Sequence, residues 1–321
     1  MRFRLEPKKR KLSAAQQVEL GVACDLRRAP ERVVLLSPTP DRVQELLADL
    51  QAAEDAGRMT PEEASGFFGR VGFVLSTATG SVGRAAVQPL LQRSGEEPTV
   101  VAFTPAMRLM NRFLRALLPA VGPLELQVGQ PGEPMVVVYT DASYAEGGHS
   151  GLGVTIFDGD EMYESAAVAP PWLLAWLRPR GQQINHLEAV AMVCARLTFP
   201  DVLRRRRVLH FVDNTCALSK AVHGYANEPD MAAAVHALHA CDACLGCDAW
   251  FEWVPSKANI ADLPSRDPAT WDEVDSALLG RLRERCRAVG RSDRVYRRAM
   301  AMPSAAELDD PLLAMERARA L

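Results

Sequence analysis

The chain has 321 residues, of which 48% are apolar and 24% charged, with a net charge of −3. That length admits two domains of about 100–200 residues each, and the balance excludes a wholly disordered, collagen-like or disulfide-scaffold protein. No apolar run approaches the ~20 residues of a membrane span, so no membrane partner is expected, and the near-neutral total excludes a uniformly basic nucleic-acid coat.

Residues 1–36 are a mixed segment. Arg2, Arg4, Lys8, Lys9, Arg10, Lys11, Arg27, Arg28 and Arg32 outweigh four acids to a local charge of +5, and two short apolar stretches, VELGVACDL and RVVLLSP, interrupt the polar text. The start MRFRLEPKKRKL has no apolar core behind it, which argues against a secretory signal and for a nuclear or cytoplasmic protein.

Residues 37–121 read as a small, mainly helical region. Ser37 or Thr39 can cap a helix with Pro40 in its first turn, and Val43, Leu46, Leu47 and Leu50 recur at helical spacing. Thr60 with Glu63 predicts a capping box for a second helix, in which Gly66, Gly69 and Gly72 thin one face. Thr104-Pro105 opens a third. Residues 122–134, rich in Gly, Pro and Gln, read as a linker.

From 135 to 268 the character changes. MVVVYTD is a β-branched run that predicts a buried strand. Two more strands flank the hairpin signal Asp158-Gly159-Asp160. INHLEAVAMVCARLTF is helical, RVLHFVDN a strand, ALSKAVHGY and DMAAAVHALHACDACL helices, and WFEWVPS a strand before ADLPSRDP. Residues 269–321 read as a helical or partly disordered tail. Within it, eight Arg between Arg281 and Arg298 face two acids, a local +6; with the four cations Arg204–Arg207 and the first 36 residues, these segments could line a phosphate track or simply face solvent.

The seven cysteines lie mostly in apolar helical text, which suits reduced thiols. Cys241, Cys244 and Cys247 could bind zinc with His236 or His239 as a fourth ligand. Zinc sites normally pair ligands from two separated segments, however, so three small buried hydrophobes on one helical stripe is the favoured reading.

Four acids stand out. Asp141 and Asp213 end apolar strands, Asp262 follows one through a short loop, and Glu188 sits in a helix. Ligand sites of open sheets lie outside the carboxyl ends of the strands, so Asp141 and Asp213 would converge there if their strands are parallel neighbours. A helix across those ends can aim Glu188 at the same point. A lone Asp after a strand is often a cap or turn residue, but four in this order suggest a site where cations offset carboxylate repulsion. Hard oxygen ligands suit two Mg²⁺ or Mn²⁺ ions.

The same residues resemble the ribonuclease H domain of reverse transcriptases. VVVYTDASYAEGGHSGLGVTIF resembles its first hairpin, INHLEAVAM the helix with the second acid, HFVDNTCALSKAVHG the strand and helix with the third, and VPSKANIADLPSR the segment with the fourth. Upstream, RLEPKKRKLSAAQQVELGVACDL resembles the end of a reverse-transcriptase palm, with Leu20-Gly21 matching a primer-gripping motif. MTPEEASGFFGRVGFVLSTATGSVGRAAVQPLL is similar to the thumb and connection of retrotransposons of the tyrosine-recombinase type. The resemblance implies a ribonuclease H-like mixed five-stranded sheet with flanking helices, preceded by a polymerase remnant over residues 1–36. It places Asp141, Glu188, Asp213 and Asp262 on the metal-binding catalytic positions, with Asp141 between both ions. It implies cleavage of the RNA strand of RNA–DNA hybrids, with Ser143, Asn185, Asn214, Lys257, Asn259 and Arg266 as nucleic-acid contacts. The chain has no Tyr-x-Asp-Asp motif, so polymerase activity is not expected of it alone and a separate polymerase chain becomes a conceivable partner. It also lacks the His that many such enzymes carry before the last acid; His149, His186 and His223 are the substitutes to weigh. The rival readings are an inactive nucleic-acid-binding remnant and a DNA nuclease of the same fold.

Overall fold

The computed structural model describes residues 15–78, 82–120, 122–127, 135–179, 183–267 and 295–321. The lysines and arginines expected to matter in residues 2–11, and those between 281 and 294, lie outside these residues. At the start, VELGVACD folds back on itself: β1 (Gln16–Glu19) and β2 (Val22–Asp25) form an antiparallel hairpin. Leu20 and Gly21 make the turn at φ 52° and 83°, the left-handed pair that matches the twist of a two-residue hairpin. β2 pairs with β3 (Val33–Pro38) and β3 with β4 (Leu124–Gln127), closing a four-stranded antiparallel sheet.

This sheet corrects one expectation. Part of the supposed linker at 122–134 is the strand β4, whose LELQ alternation bonds along β3. The helices of residues 37–121 lie between the sheet's third and fourth strands. There α1 (Pro40–Ala56), α2 (Pro61–Ala78), α3 (Gln88–Ser94) and α4 (Pro105–Ala120) pack around Leu50, Val71, Leu75, Phe113, Leu114 and Leu117. The capping box forms as expected. The Thr60 N–H donates to Glu63 Oε2 at 2.7 Å, and the Glu63 N–H donates to Thr60 Oγ1 at 3.2 Å.

Next come β5 (Val136–Tyr144), β6 (Ser150–Asp158) and β7 (Glu161–Val168), then α5 (Pro171–Trp176), α6 (Ile184–Thr198) and α7 (Pro200–Leu203). β8 (Arg207–Val212), α8 (Thr215–His223), α9 (Pro229–Leu245), β9 (Asp248–Trp253) and α10 (Asp262–Ser265) follow. The tail supplies β10 (Val295–Arg297), α11 (Ala305–Asp309) and α12 (Pro311–Ala320). The larger sheet runs β10-β7-β6-β5-β8-β9, with β5, β8 and β9 parallel to one another and β6 antiparallel to its neighbours.

Among the described residues it has six strands, not the expected five. The extra one, β10, comes from the Arg-rich tail and runs parallel to β7, with Tyr296 stacked on Tyr163 at 5.1 Å and Arg297 paired with Glu164. From 295 onward the tail is thus a strand and two helices, and Leu308, Ala314 and Ala318 lie in the core beside α6 and α9.

Every residue of α6 from His186 to Thr198 is buried. One side meets β5 and β6, with Ala195 and, just past the helix end, Phe199 in one cluster with Val136, Val138, Val154 and Ile156; the other meets α9. α9 in turn carries the helical region, with His236 edge-on to Phe113 at 4.2 Å and Ala240 in the same cluster as Met315 of α12.

Candidate metal centre

Asp141 lies on β5 and Asp213 directly follows β8. These strands are parallel neighbours in a register that pairs Tyr139 with Phe211. Continued by two residues, that register sets Asp141 opposite Asp213. Glu188 comes from the second turn of α6. One carboxylate oxygen from each of Asp141, Glu188 and Asp213 lies within 4.8 Å of the others, and among the described residues this is the one group of acid, His or Cys side chains with metal-ligand spacing. Asp141 and Glu188 are 4% and 3% exposed, and Asp213 is half-buried.

Neighbouring segments hold the cluster. β6 presents Gly151 and Gly153 beside Ser143 and Asp141. A Cβ on Gly153 would meet the Ala261 carbonyl oxygen at 2.5 Å and the Ser265 nitrogen at 2.7 Å, and one on Gly151 would meet the Ser265 oxygen at 2.1 Å. The two bare positions let residues 259–265 lie directly on the strand. From there Ser265 donates its hydroxyl to Asp141 Oδ2, and Asn259 donates to Asp141 Oδ1 at 3.3 Å and to the Thr140 carbonyl at 3.1 Å. Asn214 caps α8 by accepting the N–H groups of Cys216 and Ala217, both at 3.0 Å, and donates to Asn185 Oδ1 at 2.8 Å. That bridge ties the first turn of α6 to the loop carrying Asp213.

The cluster is electrostatically loaded. Burial raises the Asp141 carboxyl to about 7; the Ser265 hydroxyl works against the rise, and the charges of Asp213 and Asp262 add to it. Glu188 stands well above the ordinary carboxylate range, first through burial and then through Asp141 and Asp213. Its Oε2 is buried without a hydrogen-bond partner. Buried polar atoms are nearly always satisfied. An orphaned carboxylate oxygen among like charges is what a divalent cation would satisfy, and the all-oxygen donor set suits Mg²⁺ or Mn²⁺. The residues fit such an ion.

Of the four expected ligands, three converge and the fourth stands aside. Asp262, at the start of α10, adds to the charge felt by Asp141 and Glu188, but it pairs with Arg266 at 2.8 Å and falls outside the tight cluster. The expected nucleic-acid contacts divide similarly. Lys257 is exposed and Arg266 is exposed but paired with Asp262. Ser143 donates to the Ser265 carbonyl at 2.5 Å, Asn185 and Asn214 bond each other, and Asn259, 5% exposed, is turned to Asp141. Burial makes Asn259 a support for the cluster and corrects its reading as a nucleic-acid contact. Of the three histidines only His149 is at the centre, 3.3 Å from the Ser265 carbonyl oxygen. His186 lies 3.4 Å from Asp230, and His223 sits 2.6 Å from the Ser219 oxygen.

The cysteines form no second centre among the described residues. α9 ends at Leu245, so Cys247 leaves the stripe and meets the Leu203 carbonyl instead, while burial pushes the Cys241 and Cys247 thiols up, away from the thiolate a zinc ion needs. The Arg204–Arg207 run is largely engaged within the fold: Arg206 pairs with Asp158 at 2.7 Å, Arg207 lies 3.7 Å from Asp248, and Arg204 reaches the Ala318 carbonyl at 3.3 Å.

Sequence reasoning passed over Ser265, Gly151 and Gly153. Their signal was present as SGLG in the strand beside Asp141 and as the serine three residues after Asp262.

Fold and site together define a mixed α/β protein with a carboxylate cluster, at the carboxyl end of two parallel strands, able to hold a metal ion. No protein-family model matches the chain, and no curated protein gives a significant match.

Proposed function

We propose that this chain is a metal-dependent nuclease of ribonuclease H-like fold that hydrolyses the RNA strand of RNA–DNA hybrids. One observation carries the reading: carboxylates from β5, α6 and the end of β8 meet within 4.8 Å with an orphaned oxygen on Glu188. The strand order β7-β6-β5-β8-β9, with the first three antiparallel and the last three parallel, supports it. So do the sequence motifs on which the resemblance rests.

In this reading Asp141, Glu188 and Asp213 hold Mg²⁺ or Mn²⁺. A divalent ion there supplies charge to offset the phosphate and makes a bound water more acidic. The chain does the rest. Ser265 and Asn259 fix both oxygens of Asp141, the Asn185–Asn214 bridge fixes the approach of Asp213 to Glu188, and Lys257 offers an exposed cation for the backbone. Asp262 completes a second ion's ligand set only if it exchanges Arg266 for the ion. Selection of a hybrid would come from 2′-OH contacts and groove shape.

The pairing of Asp262 with Arg266 also favours a second reading, a protein that binds nucleic acid through one ion without cutting it. Parallel assays on labelled RNA–DNA hybrid, duplex RNA and duplex DNA, each in Mg²⁺ and in Mn²⁺, separate these cases. Cleavage of the hybrid's RNA strand to 5′-phosphate ends is expected. Binding without cleavage selects the second reading, and cleavage of duplex DNA alone replaces the substrate.

A further inference from the structure

Behind the acidic cluster runs a second polar group that the metal reading leaves unused. Arg196 of α6, His210 of β8 and Thr140 of β5 are fully buried, and Asp242 of α9 is 4% exposed. Arg196 donates from Nε to Asp242 Oδ1 at 2.9 Å and from Nη2 to Oδ2 at 3.3 Å, while its Nη1 lies 2.5 Å from His210 Nδ1. An arginine has only donors, so Nδ1 must accept and the imidazole is neutral with its proton on Nε2. Burial and the Arg196 charge both disfavour a second proton on that ring. The Nε2–H then donates to Thr140 Oγ1 at 2.9 Å.

We propose that the chain Asp242–Arg196–His210–Thr140 is a positioning device for the acidic cluster, setting the relative placement of the three elements that carry Asp141, Glu188 and Asp213. This rests on the metal-centre reading above. Each of those elements contributes one member. Thr140 immediately precedes Asp141 on β5, His210 lies three residues before Asp213, and Arg196 is about two helical turns beyond Glu188 on α6. Thr140 is held twice: its hydroxyl by His210, and its carbonyl by the same Asn259 amide that reaches Asp141 Oδ1. Slippage of β5 against β8, or rotation of α6, would break a bond in this chain before it moved a carboxylate freely.

Cohesion alone does not call for such a chain. Apolar contacts already join these elements, with Val136, Val138, Ala195 and Val208 in one cluster and Leu187, Val212 and Val235 in another. Replacing a buried ion pair by apolar residues of similar volume is often neutral or stabilising. What the polar chain adds is direction, since its bonds have defined lengths and angles where apolar packing tolerates small shifts. Three carboxylates that repel one another need such restraint if they are to face a single ion.

The test is Mn²⁺ affinity of the full chain, read from the paramagnetic resonance signal of free Mn²⁺, with circular dichroism and urea unfolding on each variant. Thr140→Val removes the acceptor without touching a ligand and should weaken Mn²⁺ binding by about tenfold or more; Thr140→Ser, which restores the hydroxyl, should return it towards wild type. Asp242→Asn, at the far end, should weaken binding in a folded chain and decides the matter if Thr140→Val does not fold. Unchanged Mn²⁺ affinity in folded Thr140→Val or Asp242→Asn overturns the proposal and leaves the metal centre standing. Failure of the unmodified chain to bind Mn²⁺ removes the metal centre itself, and this proposal with it.

Discussion

Asp141 concentrates the chemistry and the cost of the site in one side chain. With its carboxyl raised by burial to about 7, the metal-free fold keeps a proton that the unfolded chain releases near pH 4. Stability of the metal-free protein should therefore fall as pH rises across that window, because the unfolded state binds fewer protons. Asp141→Asn removes this contribution. In EDTA, its urea midpoint should exceed that of the wild type by more at pH 8 than at pH 5; an equal difference at both values would show that the group is not strained. The sign for metal is the reverse, since ligands must be deprotonated. Mn²⁺ should raise the wild-type melting temperature more at pH 8 than at pH 5.5, as a thermal scan would show, and a larger rise at the lower pH would contradict the account. Asp141 and Asp213 are legible in the sequence because each stands where an apolar strand stops, and Glu188 because a helix laid across those strand ends can aim it at the same point. Asn259 is expected at the nucleic acid only through the resemblance carried by VPSKANIADLPSR, and that text does not show that the bare surface of Gly151 and Gly153 brings its loop down onto Asp141.

Among the elements, the legible ones bury one consistent face. The β-branched start of β5, the Asp158-Gly159 turn at φ 56° and the apolar length of α6 each predict what forms. Of the strands that escaped, β1, β2, β4 and β10 are three or four residues long and are held by a neighbour's hydrogen bonds, while the six-residue β3 is visible only as the apolar stretch RVVLLSP. β10 is the extreme case, Val-Tyr-Arg in a run of arginines, recruited by Tyr163 and Glu164 of β7. The contact between β6 and α10 yields a prediction. Gly153→Ala places a methyl group 2.5 Å from the Ala261 oxygen, against backbone that cannot step aside. Overpacking of this kind costs about 1–3 kcal/mol, and here it should also lift Ser265 and Asn259 from Asp141. A lower urea midpoint with weakened Mn²⁺ binding is expected, whereas full stability and full binding would mean that the segment does not lie on β6.

At the scale of the whole molecule, the tail closes the structure. α12 packs along α9, with Ala314 and Ala318 in the core around α6 and Met315 in the core of the helical region. Leu308 of α11 is fully buried in the former. Leu308→Ala should cost about 2–5 kcal/mol, measured by urea unfolding, and a loss below about 0.5 kcal/mol, the range of surface substitutions, would mean that the tail merely rests on the surface. The packing of α9 against both cores also explains why the division of the chain at residue 135 was visible only as a change of text: the sequence marks where strand-rich text begins, but not that His236 and Ala240 carry the earlier helices. The reading of this protein stands on the three convergent carboxylates, and calorimetric titration of Mn²⁺ into the metal-free chain at pH 8 tests them most directly. Saturable binding that is lost in Asp141→Asn and in Glu188→Gln, with both variants folded, is the predicted result; heat no greater than dilution in the wild type, or equal binding by both variants, would contradict it.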